Sequence, residues 1–192
     1  MADVLNERAA LAHANALFGQ DPPAAVAILR RLADADSSMA MYNLGVAYEL
    51  GKVGLADLAL AETWYQRAIA ARVRVAAYAL GNLYRRSDRS ARAIEEHVRA
   101  ATWGYPPSMR VLGTMYLNGE GVEKDLRRAE YWWGLAIARG NVFAMRSYGL
   151  AMANARFGVA RVPHGIGLLI AAFARANCLA LKEGSSRGIH FQ

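Results

Sequence analysis

Apolar positions in this 192-residue chain recur at helical spacing, and no stretch reads as the alternating pattern of a strand. Within four of the apolar stretches a glycine follows a large side chain: Leu44-Gly45, Leu80-Gly81, Leu112-Gly113 and Tyr148-Gly149, at intervals of 36, 32 and 36 residues. Tyr48, Tyr84 and Tyr116 stand three residues beyond the first three glycines, one turn on and on the same face, and Met152 takes the fourth place. A glycine inside a helix costs about 1 kcal/mol relative to alanine, so four in register require a compensating gain, which close helix packing supplies. A period in the range of about 20 to 50 residues predicts stacked supersecondary units, each leaning on its neighbours.

The second half of each unit repeats as well. Ala61, Ala93 and Ala129 each precede Arg72, Gly104 and Gly140 by 11 residues, and Ala68, Ala100 and Ala136 follow two turns later. Between them stand Trp64-Tyr65, Glu96-His97 and Trp132-Trp133. The pattern predicts that each glycine-bearing helix is closely approached by this second helix, through Trp132 and Ala136 or their equivalents. Asp21, Asp57 and Asp125 sit where a carboxylate caps a helix start, and Pro22 suits the first helical position. Pro106-Pro107 and Pro163 fall in connections or first turns, where a missing N–H does no harm.

The pattern resembles the Sel-one-like repeat (SLR) family, relatives of the tetratricopeptide repeats. The third unit carries the clearest match, from Met109 through Leu112-Gly113, Tyr116 and the Asn118-Gly-Glu-Gly121 loop to Asp125, Ala129, Trp132, Ala136 and Arg139-Gly140-Asn141. The first keeps Tyr42 to Tyr48, the second shortens the loop by four residues, and the fourth replaces it with Pro163-His164. The resemblance implies an all-α, right-handed αα superhelix, a solenoid of four to five helix-turn-helix repeats whose glycine-bearing helices line the concave side. The expected organisation is one repeat domain over 1–182: a divergent leading pair at 4–35, repeats at about 36–72, 73–104, 105–141 and 142–177, and a flexible tail at 183–192.

Charge and chemistry narrow the functional classes. Basic residues outnumber acidic ones 23 to 16, a net charge of +7, and between Arg72 and Arg99 seven arginines face only Asp88, Glu95 and Glu96. Such a cluster is read as a solvated face, and without a recognised motif nucleic acid is an unlikely partner. The four histidines are scattered without metal-ligand spacing, so no metal and no cofactor is expected. The Asn118–Gly121 stretch reads as a turn, since it follows a helix and lacks the Gly-Lys-Ser/Thr ending of a phosphate loop. Adjacent residues on a helix diverge, so Glu95-Glu96-His97 is read as solvent-facing charge. The charged start Met1 to Arg8 argues against a secretory signal, and the single Cys178 fits a reducing cytoplasm. Ile166 to Leu181, interrupted by Arg175 and Asn177, is shorter than a bilayer span and reads as a buried closing helix with Cys178 inside it. Membrane-surface or partner contact through 166–181 is the alternative, because a terminal repeat normally turns a polar face outward.

The resemblance implies an adaptor, in bacteria serving signalling, envelope polysaccharide production or secretion, with no enzymatic activity. Secreted, cysteine-rich members linked with β-lactam hydrolysis supply the alternative of an enzyme or ligand-binding protein, but their paired cysteines are absent here. On the implied concave face, the position three residues before each glycine holds Tyr42, Tyr78, Arg110 and Arg146. Neighbouring positions add Asn43, Asn82, Arg85 and Ser147. Tyrosine and arginine suit a protein or acidic peptide partner, since both are enriched among binding hot spots and arginine pairs a carboxylate bidentately.

Overall fold

A computed structural model describes residues 2–187, with side chains described over 6–178. It is 77% helical, and strands are absent among the described residues, as the periodicity requires. The helices form two compact units, Met1–Trp103 and Gly104–Gln192.

The first unit holds α1 (Ala2–Leu17), α2 (Pro22–Asp34), α3 (Ser38–Glu49), α4 (Leu58–Ala70), α5 (Arg74–Arg86) and α6 (Ser90–Thr102). They pair as α1 with α2, α3 with α4 and α5 with α6, while α2 also packs on α3 and α4 on α5. The second unit holds α7 (Pro106–Asn118), α8 (Leu126–Ala138), α9 (Val142–Ala153) and α10 (Val162–Arg187), with a 3-10 turn at Val159–Arg161 leading into α10. Here α7 pairs with α8 and α9 with α10, and α8 also packs on α9.

Local sequence sets the helix limits. The carboxylates of Asp21, Asp57 and Asp125 accept from the backbone N–H of Ala24, Leu60 and Arg128 at 3.0, 2.9 and 2.9 Å. Ser37 and Asn141 cap α3 and α9 in the same way. At the other end α4 and α8 close alike, with Val73 N–H on Ala68 C=O and Asn141 N–H on Ala136 C=O, through a left-handed residue. That residue is Gly140 after α8 (φ +80°) but Arg72 after α4 (φ +58°), where a side chain is sterically disfavoured. The Asn118–Gly121 segment is a turn, with Gly119 and Gly121 left-handed. Beyond it Asp125 N–H returns to Tyr116 C=O, as Asp57 N–H does to Tyr48 C=O.

The core is built from the repeated alanines and the rings beside them. Ala61, Ala68, Ala93, Ala100, Ala129 and Ala136 are fully buried, as are Tyr65, His97 and, nearly so, Trp133. Two expectations change here. His97 is a core residue instead of solvent-facing charge, while Glu95 is exposed and Glu96 half-buried against Arg99. The closing helix α10 is largely exposed: Ile166, Ile170 and Phe173 are 49%, 66% and 69% accessible, and Cys178 is exposed with them. Only one face of α10 meets α9, so the apolar sequence there exceeds what the hairpin can bury. Its helix runs through Arg187, past the start expected for the tail at 183, and 188–192 lie outside the described residues.

Candidate functional site

Each glycine-bearing helix meets its partner through a ring. A Cβ built on Gly45 would stand 2.5 Å from the Tyr65 ring, one on Gly81 2.9 Å from His97, and one on Gly113 2.5 Å from Trp133. The residue against Gly113 is therefore Trp133, whereas Trp132 is half-buried and edge-on to Tyr131. The Trp133 indole N–H also donates to Arg110 C=O at 3.1 Å. In the fourth unit the lock changes kind: Gly149 and Gly165 face one another, and a Cβ on Gly165 would stand 2.6 Å from Ala153 N and 2.8 Å from Gly149 O. Two backbones there touch without a ring between them.

This packing positions the candidate residues. In the first unit Tyr42, three residues before Gly45, lies half-buried with its ring 6.0 Å from that of Tyr65. Tyr78 holds the same place before Gly81, edge-on to His97 at 5.7 Å. Beside them Asn43, Asn82 and Arg85 are half-buried, and the Asn43 amide donates to Asn15 Oδ1 at 3.4 Å. The structure thus sets two tyrosines at equivalent places, each leaning on a core ring; Asn82 stands one turn on from Tyr78, whereas Asn43, adjacent to Tyr42, turns to Asn15 of α1. In the second unit Arg110 and Ser147 are half-buried and Arg146 is exposed. Arg146 lines a furrow of about 360 Å³ between α9 and α10, together with Val142, Phe143, Leu169, Ala172, Phe173 and Ala176.

Sequence reasoning missed three carboxylates clamped between a tyrosine and an arginine. Tyr65 hydroxyl donates to Glu49 at 2.5 Å and Arg86 pairs with the same carboxylate. Tyr84 hydroxyl and Arg89 Nη1 bind Glu62 at 2.6 and 2.9 Å. Tyr148 hydroxyl and Arg161 bind Glu130, the latter at 2.5 Å. Burial opposes ionisation of Glu62, but the hydrogen bonds of Tyr84 and Arg89 and the charges of Arg89 and Arg92 outweigh it and hold its carboxyl below the usual range. Glu130 is lowered likewise, against burial, by Tyr148, Arg161 and His164. Arg86 and Arg89 come from the segment that reads as the most positive in sequence, so part of that charge is neutralised by acids up to 37 residues upstream. The recurrence of glutamate directly after Ala61 and Ala129 was the available signal.

Among the described residues no cluster of three or more histidine, cysteine or acidic side chains could hold a metal ion. One stretch, Val159–Cys178, is long and apolar enough to cross a membrane by length and composition. It includes Arg161 and Arg175, and its Gly165 is packed backbone-tight on α9.

Comparison with known proteins agrees with this architecture. The Sel1 repeat family model matches residues 38–72 and 106–141, just over a third of the chain. The units it omits are those with the shortened loop and His97, and with Gly165 in place of a ring. No curated protein matches the sequence. A protective antigen of uropathogenic Escherichia coli with an SLR fold is 26% identical, with a TM-score of 0.68 over 80% of this chain and 35% of its own. The chain therefore spans about a third of that protein's length. A Sel1 repeat protein from Oxalobacter formigenes is 24% identical, with a TM-score of 0.72 over 89% of this chain and 75% of its own, which shows the fold. Sel1-repeat proteins generally mediate protein interactions. The chain carries Sel1 repeats at two sites and folds as an all-α helical repeat protein of the SLR class.

Proposed function

We propose that this protein is a non-catalytic scaffold that holds a protein or acidic peptide segment against the faces of its glycine-bearing helices. The observation that carries this reading is the repeated platform of Tyr42 with Tyr65 and Tyr78 with His97. Each leaves a partly exposed tyrosine, anchored so that little side-chain entropy remains to be lost on binding, and Asn82, one turn on from Tyr78, is at hand for a peptide backbone. Arg85 supports a preference for carboxylates in the first unit, as do Arg110 and Ser147 in the second, whereas Arg146 lines the α9–α10 furrow instead. The single cysteine suits a reducing compartment, and the cytoplasm of a bacterium is the setting proposed, within a signalling, envelope polysaccharide or secretion assembly.

The test is a partner recovered by pull-down and then titrated against the purified chain. Arg85→Glu with Arg110→Glu should weaken its Kd at least tenfold, with helix content and Tm preserved, and wild-type binding should weaken as salt rises. Undiminished binding by the folded double variant overturns the reading.

A further inference from the structure

The furrow between α9 and α10 is bounded by Phe143 and Arg146 on one side and Leu169 and Phe173 on the other. Beside it, Ile166, Ile170 and Phe173 form a stripe at i, i+4 and i+7 along α10. Phe143 adds a ring that is 70% exposed. Within the two units α2 is covered by α3, α4 by α5 and α8 by α9. The α9–α10 hairpin has no such cover among the described residues, yet it exposes the apolar side chains that such a cover would bury.

Charge describes the missing occupant. From Tyr131 to Cys178 the sequence holds no aspartate or glutamate, but it holds Arg139, Arg146, Arg156, Arg161 and Arg175. Arg161 is engaged by Glu130, whereas Arg146, at the furrow, has no ion-pair partner among the described residues. We infer that the α9–α10 hairpin docks an amphipathic helix of a partner protein, one whose apolar ridge is flanked by carboxylates. The ridge seats between Phe143 and Phe173, as the first helix of a further repeat would, and a flanking carboxylate meets Arg146. A bilayer is the poorer occupant, because insertion would strip the water from Arg161 and Arg175 and part the Gly149–Gly165 contact. This docking surface is separate from the tyrosine platforms and does not rest on them.

The probe is a library of 18-residue helical peptides with randomised ridge and flanking positions, selected on the whole 192-residue chain. Large apolar residues are expected at i, i+4 and i+7, with aspartate or glutamate enriched beside them. Selected peptides should bind Ile170→Glu/Phe173→Glu, and separately Phe143→Glu, at least tenfold more weakly. These positions are exposed, so unchanged circular dichroism and Tm should accompany the loss. The same peptides should bind Arg85→Glu/Arg110→Glu as they bind wild type, which separates this surface from the platforms. Basic or neutral flanks, no enrichment, or equal binding by the furrow variants overturns the proposal. So does a concentration-dependent dimer of the chain, or capture by vesicles of anionic phospholipid, if either is lost in the same variants.

Discussion

A glycine in a helix is worth keeping only where nothing larger fits, and this molecule contains its own control. Gly113 faces Trp133 so closely that even a methyl group must displace the indole, which is held by its hydrogen bond to Arg110 C=O. Gly134, on α8, has nothing within 4 Å of where its Cβ would be. Gly113→Ala should therefore destabilise the fold by about 1 to 3 kcal/mol through overpacking. Gly134→Ala should stabilise it by up to about 1 kcal/mol through helix propensity. Thermal denaturation followed by circular dichroism reads both, and a rise in Tm for Gly113→Ala would refute the packing argument. The glycines were legible in the sequence because their cost repeats in register. Which of two adjacent aromatics filled the space was not: Trp132 and Trp133 are about 100° apart on α8, and only the helix crossing selects between them.

Between elements, the clamped glutamates tie one helix to the next. Glu62 on α4 is bound by Tyr84 of α5 and by Arg89 in the turn after it. Its carboxyl is lowered in the folded state, so its contribution to stability is complete above its ordinary value of 4.5 and is lost as pH falls through the lower folded value. Glu62→Gln should thus lose stability at neutral pH, and its urea midpoint should fall less steeply on acidification than that of wild type. Parallel acid limbs would show that Glu62 is not so held. Such pairs escape a reading of composition, because charge counting along the chain sets Arg86 and Arg89 beside Asp88, whereas the fold carries them to α3 and α4. The exposure of α10 escaped for a related reason: apolar sequence reports that a surface seeks cover, not whether this chain supplies it.

At the scale of the whole molecule, helix class, caps and repeat phase were readable from the sequence, since each is fixed within a few turns. What covers the last hairpin, and where the arginines end, depends on contacts between elements and had to await the structure. The glycine–ring locks have one more consequence. Their partners are 20 residues apart at Gly45–Tyr65 and Gly113–Trp133, and 16 at Gly81–His97, so each hairpin closes its tightest contact across a single short loop. Contact order is correspondingly low, and chains of that kind fold in about microseconds to milliseconds. In stopped-flow refolding, most of the helical signal should return within milliseconds, and a dominant phase of seconds would contradict this. Early closure would also shelter the tryptophans and alanines that a longer-range topology leaves exposed, so that during refolding the apolar face of α10 is the surface most open to aggregation.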